Sequence, residues 1–365
     1  MPEAAPFFIG SEIYRNPAFG FNHPLNIVRQ AAVVDLLNVL GWLDEQHFRE
    51  SREASVQQLL EFHSRAYVRA LQYANATGKV QPDVRERYQV GTLENPLFPG
   101  LFERASMTVG GSILSAELAS EGRVVFHPTG GTHHGRSDRA SGFCYFNDPV
   151  FAIMTFLKNG SRSVAYIDLD AHHGDGVEDA FLDDDRVTTI SIHEAERWPY
   201  SGTHSRPESG AWNFAVPRHL NDTEFAFLVD EMLVPLVDTS RADALVLCCG
   251  ADCLAGDPLS DMELSNVVLW DTVDKLIAKG LPTVILGGGG YNPWTVTRYW
   301  AGMWGRITGQ SFPERLPDAA IAYLQTMECD LIDEDDVREE WLTTLADSPY
   351  PGPVRDEIRS LVTTA

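Results

Sequence analysis

Apolar residues recur along this chain at two spacings that alternate from one segment to the next. Apolar residues at every third or fourth position predict helices over residues 25–43, 54–74, 104–119, 148–158, 222–237, 263–279 and 293–307. Short, almost continuously apolar runs predict strands over residues 123–127, 163–170, 186–193, 212–216, 244–249 and 283–286. Apolar strands separated by helices indicate a mostly parallel sheet with helices on both faces. We therefore expect an α/β fold of three layers.

The composition indicates one folded unit. The chain has 365 residues, of which 44% are hydrophobic and 10% aromatic, which is enough to bury a large core. No internal repeat, low-complexity linker or change in composition divides it, so we expect a single domain over residues 1–365. An acidic run at residues 330–340 is expected to be a solvent-exposed helix face or loop.

Charge and cysteine usage narrow the class of protein. A net charge of −24 disfavours binding to the backbone of a nucleic acid; it suits cationic partners or, more commonly, serves only solubility. No apolar run reaches the roughly 18–20 residues that a membrane span needs, and the first residues lack a secretory signal. The five cysteines are odd in number and include no CxxC pair, which favours reduced thiols over disulfides, a cysteine zinc site or a redox pair. We expect a cytoplasmic protein.

Polar residues cluster directly after four of the predicted strands. They follow the strands that end near residues 127, 170, 249 and 286, and they include two adjacent histidines, several aspartates and a tyrosine behind a run of glycines. Because the functional groups of a parallel sheet gather at the carboxyl ends of its strands, we expect these four loops to lie together. The sequence therefore predicts one polar site at that edge of the sheet.

The loop after the second of these strands has the composition of a transition-metal site. It holds Asp168, Asp170 and His172 at alternate positions, so their side chains point the same way if the chain stays extended. A calcium loop is excluded, because the sixth residue is a histidine rather than a glycine and the twelfth an aspartate rather than a glutamate. Imidazole combined with carboxylate suits zinc or iron. Asp170 and His172 are the natural ligand pair; alternatively, the aspartates cap the turn that follows.

Residues on the other loops can complete such a site. A catalytic zinc ion has three protein ligands, and Asp252 is the best third one. Hydrolysis by a metal-activated water also needs a base and an acid, for which the adjacent His133 and His134 are candidates. Asp168 and Asp175 are carboxylates that could orient the two imidazoles. Alternatively, the two histidines are ordinary residues of a loop with glycines on both sides.

The glycines at residues 287–290 do not form a nucleotide-binding motif. The pattern G-x-G-x-x-G needs a glycine where Asn292 and Pro293 stand, and the Gly-Lys-Ser/Thr sequence of a phosphate-binding loop is missing. The glycines are better explained as a flexible turn that presents Tyr291, whose hydroxyl could polarise a carbonyl and stabilise an oxyanion. The alternative is a tyrosine that merely packs at a turn.

Together these segments resemble the zinc-dependent histone deacetylase family, which includes the bacterial acetoin-utilisation deacetylases. The stretches that match the family, in order, are Gly131-Thr-His-His134, Ser141-Gly-Phe-Cys-Tyr-Phe-Asn-Asp148, Tyr166-Ile-Asp-Leu-Asp-Ala-His-His-Gly-Asp-Gly-Val-Glu178, Gly250-Ala-Asp-Cys-Leu-Ala-Gly-Asp-Pro258 and Leu286-Gly-Gly-Gly-Gly-Tyr-Asn292. The likeness covers residues 21–309 and leaves residues 310–365 as an acidic extension. It implies an arginase-like α/β fold with a central parallel sheet.

The resemblance implies two kinds of bound metal ion. It implies one catalytic zinc ion held by Asp170, His172 and Asp252, the same ligands that the residue pattern favours. Family members also bind potassium beside the zinc ion, partly through main-chain carbonyl groups. The potassium ligands implied here are Asp168, Asp170, His172, Ser191 and Ile192.

The resemblance also implies catalytic roles. His134, paired with Asp175, would be the general base and acid. His133, paired with Asp168, would stabilise charge, and Tyr291 would bind the substrate carbonyl.

A further set of residues is expected to contact the substrate. By resemblance, Phe143 and Tyr200 would form the walls of a tunnel for the acyl-lysine side chain. Glu94 stands near the position where the family has an acidic residue that holds the substrate backbone, and Gly142 and Leu259 are also expected to line the site.

The sequence leads to a functional hypothesis, which is zinc-dependent hydrolysis of an amide that removes acetyl from a lysine side chain of a protein or peptide. One alternative keeps the chemistry and changes the substrate to an acetylated polyamine or another small amide. Another is an inactive module that binds acyl-lysine, which the presence of all the expected ligands and of Tyr291 disfavours. We expect no direct nucleic-acid or membrane partner, and the sequence leaves a homo-oligomer open.

Overall fold

The computed structural model describes residues 4–16, 18–20 and 23–364. Residues 1–3, part of the segment that lacks a secretory signal, and Phe21, where the family resemblance begins, lie outside these ranges. The described residues contain one sheet of eight strands. In chain order the strands are β1 (Phe7–Gly10), β2 (Phe48–Glu50), β3 (Val124–His127), β4 (Val164–Asp168), β5 (Val187–Glu194), β6 (Ala211–Val216), β7 (Ala244–Cys248) and β8 (Thr283–Leu286).

Helices form most of the connections between the strands. In chain order the α-helices are α1 (Arg29–Leu40), α2 (Val56–Leu59), α3 (Arg65–Thr77), α4 (Pro82–Tyr88), α5 (Leu101–Ala119), α6 (Asp148–Lys158), α7 (Asp175–Phe181), α8 (Asp222–Leu228), α9 (Val234–Thr239), α10 (Asn266–Ile277), α11 (Pro293–Ile307), α12 (Asp318–Leu324), α13 (Glu339–Thr343) and α14 (Asp356–Thr364). A π-helical turn, Val229–Leu233, joins α8 to α9.

Neighbouring strands of the sheet are parallel and follow the order β2-β1-β3-β8-β7-β4-β5-β6. The four central strands end in register, since Leu286 pairs with both His127 and Cys248, and Cys248 pairs with Asp168. The carboxyl ends of β3, β8, β7 and β4 therefore stand side by side. The parallel sheet confirms the predicted fold class, and its central strands lead into the four polar loops.

Residues of the central strands are buried alternately on the two faces of the sheet. In β4, Ala165 and Ile167 pack in the core shared with α1, α8, α10 and α11, whereas Val164 and Tyr166 pack in the core shared with α5, α6 and α7. Burial on both faces explains why the strands are almost continuously apolar in sequence. The result is the expected three-layer arrangement.

The structure differs from the sequence-based prediction at the edge of the sheet and along several connections. β1 and β2 are absent from the prediction. β2 has the sequence Phe-Arg-Glu, is partly exposed and is not an apolar run, whereas β1 is as apolar and buried as the strands that were predicted. The helix predicted over residues 54–74 is broken into α2 and α3, because the Ser64 side chain accepts a hydrogen bond from the Tyr67 N–H at 3.3 Å and begins a new helix. The prediction also lacks α4 and α7.

The close approach of α5 to the sheet depends on two adjacent glycines. A Cβ atom at Gly110 would lie 1.7 Å from the carbonyl oxygen of Arg52, and one at Gly111 would lie 2.5 Å from Nε2 of His127. A larger residue at Gly110 would require the backbone at Arg52 to move, and one at Gly111 would require the His127 side chain to move. The small-residue patch in the sequence therefore marks a contact between this helix and the end of a central strand.

The apolar length of the helices and the exposure of the acidic run agree with the composition. Among the residues that the structure describes, no helix is long and apolar enough to cross a membrane. The acidic run at residues 330–340 is mostly exposed, as its charge predicts.

Candidate metal centre and active site

Polar residues from four separate loops lie together at the carboxyl edge of the sheet. The loops after β3, β4, β7 and β8 bring in, respectively, the histidine pair, the aspartate–histidine cluster, a further aspartate and the tyrosine behind the glycines. The side chains that meet there are His133, His134, Asp168, Asp170, His172, Asp175, Asp252 and Tyr291.

Asp170, His172 and Asp252 form a compact buried group in which the candidate ligand atoms all lie within 4.8 Å of one another. Nδ1 of His172 lies 3.2 Å from Oδ1 of Asp170 and 2.9 Å from Oδ2 of Asp252. The other carboxylate oxygens accept backbone N–H groups, from Gly289 at 2.6 Å and from Ala171 at 3.0 Å. Two carboxylates and one imidazole that face a common point are a donor set that suits zinc.

The electrostatics of this group also fit a divalent cation. Burial, reinforced by the Asp170 carboxylate, raises the pKa of Asp252. Burial acts to lower the pKa of His172, but its hydrogen bonds to Asp170 and Asp252 outweigh burial and raise the pKa to about 10. Negative charge is thus concentrated in a largely buried place, and a cation held by the three side chains would compensate it.

Asp170 and His172 do not lie on the extended strand that the sequence-based prediction assumed. β4 ends at Asp168, whose Oδ1 accepts a hydrogen bond from the Asp170 N–H at 3.2 Å, and Oδ1 of Asp170 accepts one from the His172 N–H at 2.9 Å. Each aspartate therefore caps a tight turn, and these turns bring Asp170 and His172 toward Asp252. The sequence left open whether these aspartates bind a metal ion or cap a turn. In the structure Asp170 caps a turn and also belongs to the candidate metal group.

Each histidine of the adjacent pair is bonded through Nδ1 to its own aspartate. Nδ1 of His133 lies 2.8 Å from Oδ2 of Asp168, and Nδ1 of His134 lies 2.8 Å from Oδ1 of Asp175. Burial, with the neighbouring His133 second, lowers the pKa of His134 to about 4. Burial also acts to lower the pKa of His133, but the carboxylates of Asp168 and Asp170 outweigh it and raise the pKa to about 9. The two imidazoles therefore differ in how readily they take a proton, with His133 the more basic of the two.

Two side chains that sequence reasoning missed hold the aspartate partners of these histidines. Arg136 forms an ion pair with Asp175, and the Tyr166 hydroxyl donates to Oδ2 of Asp168 at 2.6 Å. Tyr166 opens one of the stretches that resemble the family, whereas Arg136 lies outside them and has no such signal.

The loop that carries the histidine pair is fixed from behind by Asn147 and Asp148. Nδ2 of Asn147 donates to the carbonyl oxygen of His133 at 3.1 Å. The Asp148 carboxylate accepts the N–H groups of Gly131 at 3.1 Å and of Thr132 at 2.7 Å. Both supporting residues end a stretch that resembles the family, so the sequence did contain a signal for them.

An open cavity of about 470 Å³ connects the candidate metal group with the surface. All of the residues expected to contact the substrate line it, and of the adjacent histidines His134 lines it whereas His133 lies behind. The described residues that line the cavity are Glu94, His134, Gly142, Phe143, His172, Glu196, Arg197, Trp198, Tyr200, Arg218, Leu259 and Tyr291.

Tyr291 is nearly buried in the wall of this cavity. Its N–H donates to Oδ2 of Asp257 at 2.7 Å, and its ring meets the ring of Phe143 edge to face at 6.0 Å. Burial, followed by the charges of Asp252 and Asp170, raises the pKa of Tyr291 well above its usual value. The hydroxyl therefore keeps its proton and can donate a hydrogen bond inside the cavity.

Trp198, which sequence reasoning missed, forms the wall beside His134. The indole lies 4.6 Å from the ring of His134 and 6.3 Å from the ring of His172. A Cβ atom on Gly142 would lie 2.3 Å from Cη2 of Trp198, so the indole packs directly on that backbone. Tyr200 is 72% exposed and lies at the outer rim of the cavity. The two aromatic residues are only two positions apart, and the sequence had no signal to choose between them.

The opposite wall depends on a strained turn at Gly142 and Phe143. Phe143 has a φ of +65°, and its N–H donates to Oδ1 of Asn95 at 2.9 Å. The Glu94 carboxylate accepts the N–H of Gly142, so it supports this turn as well as facing the cavity. On the other side of the rim, the carbonyl oxygen of Leu259 accepts a hydrogen bond from Arg197 at 2.8 Å.

The residues expected to bind potassium come from two neighbouring strands. Ser191 of β5 pairs in register with Asp168 of β4, and Ile192 is the next residue along β5. The Ser191 hydroxyl lies 2.9 Å from Nδ1 of His193. The strand pairing brings this group together beside the candidate zinc ligands, and potassium binding stays a prediction.

The chain is similar to known proteins along most of its length. The model of the histone deacetylase domain matches residues 23–307. Acetoin utilization protein AcuC of Bacillus subtilis (strain 168) is 33% identical over 324 residues, which is 83% of this chain and 82% of that protein. Histone deacetylase 8 of Xenopus tropicalis is 30% identical over 302 residues, 80% of this chain and 81% of that protein.

Two solved structures have the same fold over their whole length. A crystal structure of an HDAC homolog from Aquifex aeolicus superposes with a TM-score of 0.94 and 32% sequence identity, and it covers 99% of each chain. An HDAC homolog complexed with SAHA superposes with a TM-score of 0.93, again with 32% identity and 99% of each chain covered.

Removal of one carboxylate should weaken metal binding without a change of shape. We expect Asp252→Asn to raise the dissociation constant for Zn²⁺ at least about 100-fold, because residues that only support metal ligands already contribute 10- to 100-fold. Titration of metal-free protein with Zn²⁺ against a chromophoric chelator measures this without any turnover. Asp175→Asn, which alters a carboxylate bonded to His134, is the matched control and should bind Zn²⁺ within tenfold of the unchanged protein. Equal affinity in Asp252→Asn and the unchanged protein would contradict the assignment.

Proposed function

The chain belongs to the histone deacetylase family, and we propose that this deacetylase is a zinc-dependent hydrolase that removes acetyl groups from lysine side chains of proteins or peptides. The observation that supports the proposal is that the candidate zinc-binding group, His134 and Tyr291 all adjoin one open cavity. Amide hydrolysis requires activation of water, proton transfer and stabilisation of an oxyanion at one carbon atom. A single domain over residues 1–365, potassium binding and a cytoplasmic location remain part of the proposal.

Asp170, His172 and Asp252 would hold the zinc ion. When bound, zinc would polarise the substrate carbonyl and make water more acidic. The protein positions the two buried carboxylates and the imidazole in advance, through hydrogen bonds that backbone N–H groups of the neighbouring loops donate to the carboxylates. The donor set also leaves the cavity side open to substrate and water.

His134 is the residue that we assign as general base and acid. Its Nδ1 is bonded to Asp175, which leaves Nε2 to take a proton from the attacking water and to return it to the leaving amine. His133 lies directly behind, with the two ring centroids 3.9 Å apart, and is bonded to Asp168. We assign it an electrostatic role toward the negative charge that develops during attack.

Tyr291 is assigned to the substrate carbonyl. Its hydroxyl would donate a hydrogen bond that becomes stronger as the carbonyl oxygen gains negative charge, which lowers the barrier more than it strengthens substrate binding. Asp257 fixes the backbone of Tyr291, so the hydroxyl is positioned before substrate arrives. Phe143 and Trp198 would pack against the apolar stem of the acyl-lysine side chain.

A second cavity, of about 90 Å³, offers a place for the acetate product. Phe143 lines both cavities, and the smaller one is also lined by Arg29, Arg104 and Thr132. Nη1 of Arg29 donates to the carbonyl oxygen of Gly288 at 2.7 Å, which ties this arginine to the glycine turn before Tyr291. Two guanidinium groups beside so small a space would attract a carboxylate released at the metal group.

The rim of the open cavity favours a peptide over a polyamine. Leu93 and Tyr200 are 97% and 72% exposed, the highest values among large apolar side chains of the described residues, and both belong to the loops at the rim. Apolar side chains next to the acetyl-lysine of a peptide could cover them, whereas a polyamine has none. Glu94 and Glu196 line the same rim and would attract positive charge on a peptide or on a polyamine. Acetylated polyamines therefore remain the second candidate.

Loss of the Tyr291 hydroxyl should slow the chemical step. We expect Tyr291→Phe to lower kcat by about 100- to 1,000-fold, the usual effect of removing one oxyanion donor, with Zn²⁺ affinity unchanged. Steady-state turnover of an acetyl-lysine peptide measures it. Tyr299→Phe, the same change at a buried position in α11, is the control and should keep kcat within about twofold. Near-normal turnover of Tyr291→Phe would remove this residue from the mechanism.

Two alanine substitutions distinguish the wall of the tunnel from its rim. We expect Trp198→Ala to lower kcat/KM for an acetyl-lysine peptide about tenfold, which corresponds to about 1.4 kcal/mol of lost packing in the transition state. Tyr200→Ala, at an exposed position, should change it by less than about threefold. The reverse order of effects would assign the wall to Tyr200.

A competition assay tests the substrate class. Acetyl-lysine peptides, acetylated polyamines and small aryl or alkyl amides compete for the same enzyme, and the ratio of their kcat/KM values gives the preference directly. We expect a peptide with an apolar residue beside acetyl-lysine to be preferred over an acetylated polyamine by at least about tenfold. A preference for the polyamine would favour the second candidate.

A further inference from the structure

Residues beyond the family-matched region pack against two loops of the candidate active site. The family model ends at residue 307, and α12 and α13 lie in the segment that follows. α12 is hydrogen-bonded to α11, since Nε1 of Trp294 donates to the carbonyl oxygen of Leu324 at 3.0 Å. Trp294 lies in the first turn of α11, three residues after Tyr291. The C-terminal segment, defined here as residues 310–347, therefore reaches the neighbourhood of the site.

Trp341 of α13 lies between these two loops. It is 3% exposed, and its indole stacks on Trp294 with ring centroids 6.3 Å apart and an interplanar angle of 16°. A Cβ atom on Gly256 would lie 2.5 Å from Cζ2 of Trp341, so the indole rests directly on the backbone of the loop that carries Asp252. Gly256 has a φ of +93°, which already restricts the position to glycine. Trp341 thus contacts both the loop after β7 and the start of α11.

Hydrogen bonds connect the loop beneath Trp341 with Tyr291, and a further one joins Tyr291 to the C-terminal segment. Nδ2 of Asn292 donates to the carbonyl oxygen of Gly256 at 3.0 Å, and the Tyr291 N–H donates to Oδ2 of Asp257 at 2.7 Å. The carbonyl oxygen of Tyr291 accepts the thiol of Cys329, another residue of the C-terminal segment, at 3.6 Å. Both backbone groups of Tyr291 are therefore held, one of them by the C-terminal segment itself.

The segment around Trp341 is anchored to the core on its far side. Arg298 of α11 is fully buried; its Nε donates to the carbonyl oxygen of Thr344 at 2.6 Å, and its Nη1 lies 2.7 Å from Oδ1 of Asp347. The Asn266 N–H donates to Oδ2 of Asp347 at 3.0 Å. A buried arginine paired in this way is costly to break, so the segment holds a fixed position from which Trp341 can fix the two loops.

We propose that Trp341 is a positioning residue for the deacetylase reaction, which keeps the loop of Asp252 and the backbone of Tyr291 at a fixed separation. The inference rests on the proposed function, because it takes the Tyr291 hydroxyl and the zinc ion that Asp252 would help to hold to act on the same carbonyl group. A displacement of about 1 Å in such a pair can cost about 100-fold in rate. The C-terminal segment is then a working part of the site, although no residue of it lines the open cavity.

Kinetics of three variants test the proposal. We expect Trp341→Ala to lower kcat about 10- to 100-fold with KM changed less than about threefold, and Trp341→Phe, which keeps a flat ring, to restore kcat to within about threefold. Trp42→Ala is the matched control. Trp42 stacks on Phe312 of the same C-terminal segment and contacts Gly305 at the end of α11 far from Tyr291. It should lower stability and leave kcat within about twofold.

A structural measurement runs in parallel and does not depend on turnover. Hydrogen–deuterium exchange of the Tyr291 N–H, which is bonded to Asp257, should be at least about tenfold faster in Trp341→Ala than in Trp42→Ala. In the Tyr291→Phe background, Trp341→Ala should add less than a threefold loss of kcat, because the group it positions is already missing.

Different results would contradict the positioning role of Trp341 and the catalytic role of Tyr291. An unchanged kcat in folded Trp341→Ala, an equal loss of kcat in Trp42→Ala, or unchanged exchange at Tyr291 would overturn the positioning role. Full activity of Tyr291→Phe would count against the proposed mechanism alone, since the exchange measurement would still decide whether Trp341 holds the backbone at that position.

Discussion

The burial of negative charge at the edge of the sheet is the constraint on which the site depends. Asp168, Asp170 and Asp252 have no exposed surface, and a buried carboxylate is tolerated only where donors or cations surround it. Those donors come from three of the four loops: a histidine from the loop after β3, backbone N–H groups just beyond β4, and the glycine turn after β8. The positions of these loops and of the candidate metal group are therefore coupled, because the buried carboxylates lose their donors if the loops are displaced.

Much of this arrangement could be predicted from the sequence, for a reason that lies in the sheet. The central strands are buried on both faces, so they appear as apolar runs, and their carboxyl ends must share one edge once they are parallel. Asp170, His172 and Asp252 could be proposed as a group on that ground. The geometric reason given for the first two, an extended chain, does not hold, since β4 ends at Asp168 and tight turns follow.

What the sequence could not provide are the features decided by contacts between distant segments. Trp198 and Tyr200 are equally aromatic, and only the packing of the indole on Gly142 and His134 selects one for the inner wall. β2 is a strand because it pairs with β1, and its own sequence, Phe-Arg-Glu, has no pattern typical of a buried strand. In the sequence, Trp341 directly follows the acidic run. Its contact with the site depends on Gly256, 85 positions earlier, where a Cβ atom would clash with the indole.

The order of the strands has a consequence for how the protein is made. β3 stands next to β8, and β4 next to β7, so the centre of the sheet joins segments from opposite halves of the chain. Synthesis proceeds from the N-terminus, and contacts between distant segments form slowly. A growing chain that has already released its histidines and Asp170 from the ribosome therefore still lacks Asp252 and has an unpaired edge on β3. A metal ion that Asp170, His172 and Asp252 would hold could therefore be taken up only late in synthesis, after the segment that carries Asp252 has emerged and β7 can pair with β4.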